Sequence, residues 1–126
     1  MIKIVVGLHR NAHVNVDLAA IKHNIAVELA RMDEQQELFA VVKANAYGHG
    51  IVPVAKAAKQ AGATGFCVAL IDEGLALREA GITETILILG VTLANEANLM
   101  AKYDLSTAGG SRISDPGTKQ IGSNWC

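Results

Sequence analysis

Polar and apolar residues alternate through Ala12-His13-Val14-Asn15-Val16-Asp17, the period of a half-buried strand. Asp17 then offers an N-cap carboxylate. Residues 18–31 follow as a helix, with Ile21, Ile25 and Leu29 spaced four apart on one face. Polar residues 33–37 read as a loop. Residues 38–42 (Leu38-Phe39-Ala40-Val41-Val42) form a short apolar run, as expected of a strand buried on both faces. A polar, glycine-containing loop spans residues 43–50. Pro53 suits the first turn of the next helix, which carries Val54, Ala57, Ala58 and Ala61 and is stopped by Gly62. Residues 66–70 form the next strand. Asp72 opens a helix carrying Leu75, Leu77 and Arg78 before Gly81. Residues 85–89 are a further strand ended by Gly90, residues 96–102 a helix, and residues 103–106 the start of one more strand.

This order alternates strand and helix throughout, which argues for parallel βα units joined by helical crossovers and hence an α/β fold. A closed barrel and an open doubly wound sheet both fit the alternation. Residues 109–126 differ: they are rich in Gly and Ser and have no amphipathic period, so a disordered tail unrelated to the α/β region of residues 1–108 is expected there.

Composition narrows the function classes. The 126-residue chain is 51% hydrophobic, enough for a core, and its net charge of −1 gives no reason to expect nucleic acid or an acidic membrane surface as partner. No apolar stretch reaches membrane-spanning length, and Met1-Ile2-Lys3-Ile4-Val5-Val6-Gly7-Leu8-His9-Arg10 turns polar too soon for a secretory signal. The two cysteines, Cys67 and Cys126, match no zinc or redox spacing. Cys67 lies in an apolar run and reads as a small buried hydrophobe, Cys126 is expected to be exposed, and the whole reads as cytoplasmic.

Candidate chemistry centres on Lys43, which follows the apolar run ending in Val41-Val42. In parallel α/β architectures reactive groups gather at the carboxyl ends of strands. Partial removal from water disfavours an ammonium, and an amine so placed becomes a usable nucleophile and base for Schiff-base chemistry. By position alone a solvated strand-end lysine fits as well. Tyr47, four residues on and beside Gly48 and Gly50, offers a phenol that can donate to a phosphate oxygen; a ring packed over the loop fits its spacing equally. His49 stands apart from other ligand types, and His9, His13 and His23 share no site-like spacing, so no metal is expected. Asp72-Glu73 reads as a helix start complementing the macrodipole rather than a catalytic carboxylate pair. Phosphate-loop and nucleophile-elbow motifs are lacking.

The run Ala40-Val41-Val42-Lys43-Ala44-Asn45-Ala46-Tyr47-Gly48-His49-Gly50 closely resembles the pyridoxal-phosphate signature of bacterial alanine racemases. Val16-Asp17-Leu18-Ala19-Ala20-Ile21-Lys22-His23-Asn24, the stretch from Ile71-Asp72-Glu73-Gly74 to Ala80-Gly81-Ile82, and Ile86-Leu87-Ile88-Leu89-Gly90 resemble neighbouring parts of the same family, so that the likeness covers residues 9–107. It implies that residues 1–108 are the N-terminal portion of a parallel (β/α)8 barrel that binds pyridoxal 5'-phosphate. It further implies a homodimeric isomerase acting on alanine and supplying D-alanine for peptidoglycan. Lys43 would be both the Schiff-base residue and one of two catalytic bases, and Tyr47 a cofactor-phosphate ligand. The second base, a tyrosine of the partner subunit's β domain, matches nothing in this chain, and Tyr103 does not stand in for it. The chain is therefore expected to be inactive alone. A racemase of another amino acid and a non-catalytic pyridoxal-phosphate-binding barrel protein are the alternatives.

Overall fold

The computed structural model describes residues 1–5, 9 and 12–108. The expected tail at residues 109–126, with Cys126, lies outside the described residues. The elements run β1 (Ile2–Val5), β2 (His13–Val16), α1 (Leu18–Leu29), β3 (Phe39–Val41), α2 (Lys43–Tyr47), α3 (Ile51–Ala61), β4 (Gly65–Val68), α4 (Ile71–Glu79), β5 (Thr85–Ile88), a 3-10 turn (Ala94–Glu96), α5 (Ala97–Lys102) and β6 (Leu105–Thr107).

Four strands form one parallel sheet in the order β3-β4-β5-β6, as the alternation of elements requires. Pairing places Val41 beside Cys67, Cys67 beside Leu87, and Leu87 beside Ser106. Because side chains alternate across a pleated strand, these four residues share one face. The opposite face presents Ala40, Phe66, Ile86 and Leu105, which meet across the same strands. That second face is the core: Phe66, Val68, Ile86, Ile88 and Leu105 pack with Ala55 and Ala58 of α3, Ile71 and Leu77 of α4, and Met100 of α5. Fully burying a side chain such as Phe66 or Ile86 stabilises the fold by roughly 1.5–3 kcal/mol.

Local signals act where expected. Asp17 caps α1, its Oδ1 accepting the Ala19 amide at 2.9 Å and the Ala20 amide at 3.2 Å. Gly62 closes α3 at φ 113°, a conformation that favours glycine. Two expectations need correction. β2 does not open the parallel series; it pairs antiparallel with β1 in a separate two-stranded ribbon. Three of its four residues are exposed, whereas all four of β4 are buried, so its polar alternation suits a ribbon with one wet face and not a covered parallel strand. Likewise β3 is not buried on both faces. Among the described residues it is an edge strand paired only with β4, and Val41 is 45% exposed. Helices cover the face carrying Val42, and the face carrying Val41 stays open.

Candidate functional site

Lys43 lies immediately beyond β3, at the carboxyl end of the parallel sheet, and is half-buried. The Val42 amide still donates to the Cys67 carbonyl at 2.9 Å, so the sheet ladder holds the chain until one residue before the lysine.

The segment after it is not the irregular loop expected from its polarity. Ala44 (φ 51°, ψ 49°), Asn45 (55°, 41°) and Ala46 (52°, 48°) all adopt left-handed helical geometry. Tyr47 continues at φ 54° and Gly48 at φ 88°. Left-handed backbone costs an ordinary residue roughly 1–2 kcal/mol, so a run of this kind persists only where its surroundings over-determine it. Several bonds do so. The Ala46 amide donates to the Val42 carbonyl at 2.8 Å and the Gly50 amide to the Asn45 carbonyl at 2.9 Å. Asn45, a residue type that tolerates this region, also accepts the Ile51 amide on its side-chain oxygen at 2.9 Å, which ties the turn to the start of α3. The His49 Nδ1 lies 3.0 Å from the Ala46 carbonyl and donates to it when protonated there. His49 thus serves the turn. Tyr47 projects outward, 60% exposed.

Glu73 binds this turn to the neighbouring strand end. Its Oε1 accepts the Ala44 amide at 2.7 Å. Its Oε2 accepts the Ala69 amide at 2.7 Å and the Leu70 amide at 3.2 Å. Reading Glu73 as a helix-start carboxylate anticipates the Leu70 contact, since a glutamate at the third helical position reaches back to the cap amide. The contact to Ala44 spans 29 residues of sequence, and no local pattern announces it. Asp72 is exposed and shares none of these bonds.

The open face of the sheet forms the floor beside this turn. Val41, Cys67, Leu87, Leu89 and Ala108 line a cavity of about 350 Å³. Cys67 is buried there, as expected, and burial pushes its thiol pKa above the ordinary value. The half-buried Lys43 thus stands two residues beyond Val41, which lines this apolar cavity, and the exposed Tyr47 four residues further on. No described helix is long and apolar enough to cross a membrane.

Comparison with known proteins identifies the family. The family model for the alanine racemase N-terminal domain matches residues 16–112. The chain is 63% identical to the alanine racemase of Ligilactobacillus salivarius over 108 residues, covering 86% of the chain and 29% of the relative. It is 60% identical to that of Lactiplantibacillus plantarum over 109 residues, with the same two shares. Among solved structures, alanine racemase from E. faecalis superposes with a TM-score of 0.79 at 53% identity, over 84% of the chain and 29% of that structure. A histidine racemase from Leuconostoc mesenteroides superposes with a TM-score of 0.72 at 36% identity, over 82% and 27%. The chain thus spans 29% of the length of these curated relatives, and its four-stranded parallel sheet corresponds to the N-terminal portion of their barrel. On the match to the domain model and to these relatives, the chain belongs to the alanine racemase N-terminal domain family.

Proposed function

We propose that the protein to which this chain belongs is an alanine racemase, a pyridoxal-phosphate-dependent isomerase that interconverts L- and D-alanine. The observation that carries the reading is Lys43 itself: a half-buried lysine at the carboxyl end of β3, followed by a left-handed turn and two residues beyond Val41 of the apolar cavity. The residues present fit the cofactor. The floor of Val41, Cys67 and Leu87 suits the flat face of a pyridine ring. The Lys43 amine is the group that would hold the aldehyde carbon. The exposed Tyr47 phenol makes no hydrogen bond among the described residues and is free to donate to a phosphate oxygen.

Pyridoxal phosphate, when bound, supplies a conjugated ring that spreads the negative charge left when a proton leaves the α-carbon of an amino acid. Lys43 would hold that cofactor and take or return the α-proton on one face. Inversion requires a proton on the opposite face, so a second base is needed. The family resemblance assigns that base to the partner subunit of a homodimer. The likeness to a histidine racemase favours testing amino acids other than alanine.

Titration of the purified full-length protein with pyridoxal phosphate tests the reading. A visible absorbance band is expected to develop and to vanish in Lys43→Ala. A band that survives this substitution overturns the role of Lys43. Racemisation of alanine, assayed beside serine and histidine in the full-length protein, fixes the substrate.

A further inference from the structure

We infer that Glu73 is a positioning residue for Lys43, acting through the backbone by clamping the end of β3 to the end of β4 and capping the left-handed turn that follows the lysine. The inference deepens the functional reading above and rests on it for what Lys43 does.

The first amides of any helical turn lack carbonyl partners within it. In the turn after Lys43, the Ala46 amide is satisfied by the Val42 carbonyl, and the Ala44 amide is satisfied by Glu73 Oε1 at 2.7 Å. Oε2 meanwhile accepts Ala69 and Leu70, at the first turn of α4. A single carboxylate thus caps two turns that belong to different strand–helix units. Charge-assisted bonds of this kind are shorter and stronger than neutral ones, and negative charge is favoured where unpaired amides converge.

The clamp also has a firm base. Gly74, the next residue of α4, is buried, and a Cβ there would stand 3.1 Å from Leu105 and 3.5 Å from Ile86. That close approach seats the first turn of α4 directly on β5 and β6. The Ala69 carbonyl in turn accepts the Gly90 amide at 3.2 Å, beyond β5. Ala44, Glu73, Ala69 and Gly90 therefore tie three strand ends in series. Without the carboxylate the Ala44 amide loses its acceptor, and a strained backbone loses one of the contacts that over-determine it. The turn is then free to relax toward ordinary geometry and to shift the backbone that carries Lys43.

The acceptor pattern separates glutamate from its relatives. Glutamine offers one acceptor oxygen, and its NH2 would face a backbone N–H, so it keeps only one side of the clamp. Aspartate keeps the charge but is one methylene shorter, so it retains the near cap at Leu70 and loses the reach to Ala44.

The experiment measures amide hydrogen exchange and pyridoxal-phosphate affinity in the full-length protein, unmodified and as Glu73→Gln, Glu73→Asp and Lys43→Ala. In Glu73→Gln, exchange at Ala44 is expected to accelerate, and the cofactor dissociation constant to rise, each by about tenfold or more, the scale of one lost charged hydrogen bond. Amides of β5 stay protected. Glu73→Asp is expected to expose Ala44 while leaving Leu70 protected, and it carries the test should Glu73→Gln lose protection in β5. Lys43→Ala leaves Ala44 exchange unchanged, because the lysine side chain takes no part in the clamp. Unchanged exchange at Ala44 in both Glu73 variants overturns the inference, as does faster exchange with unaltered cofactor affinity. Failure of the unmodified full-length protein to take up cofactor overturns the functional reading, and with it the role assigned to Glu73.

Discussion

The Arg78 Nε donates to the Tyr103 main-chain carbonyl at 2.9 Å, across 25 residues of sequence. The same guanidinium reaches Ile82 at 2.8 Å, Glu84 at 2.7 Å and Asp104 at 2.8 Å, each through its carbonyl oxygen. One side chain on α4 therefore ties down the loops that lead into β5 and β6. Partial burial lowers the guanidinium pKa, and the charges of Asp104 and Glu84 oppose that shift. Arg78→Ala is expected to destabilise the chain by about 2 kcal/mol, less than a simple sum of four charged hydrogen bonds because the group is partly solvated. Arg78→Lys should recover less than half, since an ammonium lacks the planar fork that reaches four carbonyls. Urea denaturation measures both, and an unchanged midpoint in Arg78→Ala would refute this role.

Arg78 also illustrates what is legible along the chain. Its helix was readable from Asp72 to Gly81, because capping and periodicity are local. Its carbonyl partners are not, because they depend on how two later loops return to α4. The same division runs through the site. Lys43 and Tyr47 stand out through a contiguous motif, and the alternation of strands and helices around them anticipates the parallel sheet. The left-handed geometry of Ala44, Asn45 and Ala46 was hidden, because alanine ordinarily favours the right-handed helix and only tertiary bonds hold it otherwise. The β1–β2 ribbon is not legible, because the order of elements alone does not distinguish an antiparallel partner for β2 from a place in the main sheet.

The left-handed turn reverses a usual rule. Replacing alanine by glycine normally destabilises a helix. Ala44 is exposed and sits at φ 51°, ψ 49°, where a Cβ is unfavourable. Ala44→Gly relieves that strain and pays only the added entropy of the unfolded chain. A net gain of roughly 0.5 kcal/mol is expected. Ala44→Val, which places a β-branched side chain in the same region, should be destabilising. Thermal melts of the two variants must move in opposite directions; a loss of stability in Ala44→Gly would refute the strain.

Gly90 is required for space. A Cβ at this position would stand 2.3 Å from the Ala69 carbonyl oxygen, a backbone atom with no rotamer to yield. The same carbonyl accepts the Gly90 amide, so relief of the clash must also disturb that bond. Gly90→Ala is expected to cost about 2 kcal/mol. By contrast Gly81, at φ 87° with nothing within 4 Å of a Cβ, has space for one, and Gly81→Ala meets only the backbone cost of positive φ, about 1 kcal/mol. Equal losses in the two variants, measured by chemical denaturation, would show that the close approach of Ala69 is unimportant.

Cys67 predicts a pH dependence. It is 8% exposed on the cavity floor, between Val41 and Leu87 on the adjoining strands. Burial raises its pKa, because the thiolate loses hydration there. At neutral pH it remains a thiol, and in a Cys126→Ser background a thiol-specific reagent should label it slowly until the chain is unfolded. The linkage sign follows from the raised value. Below the unfolded-state pKa both states hold the proton, and the contribution to stability is complete. As pH rises past that point the unfolded chain releases its proton first, so stability falls until the folded-state pKa is passed. Melting temperature should therefore drop more steeply above about pH 9 with Cys67 present than in Cys67→Ala. The alanine variant starts lower, because it leaves a small void beside Leu87. The two curves must converge as pH rises. Parallel curves, or rapid labelling of the folded chain at neutral pH, would place the thiol in contact with water and contradict its burial.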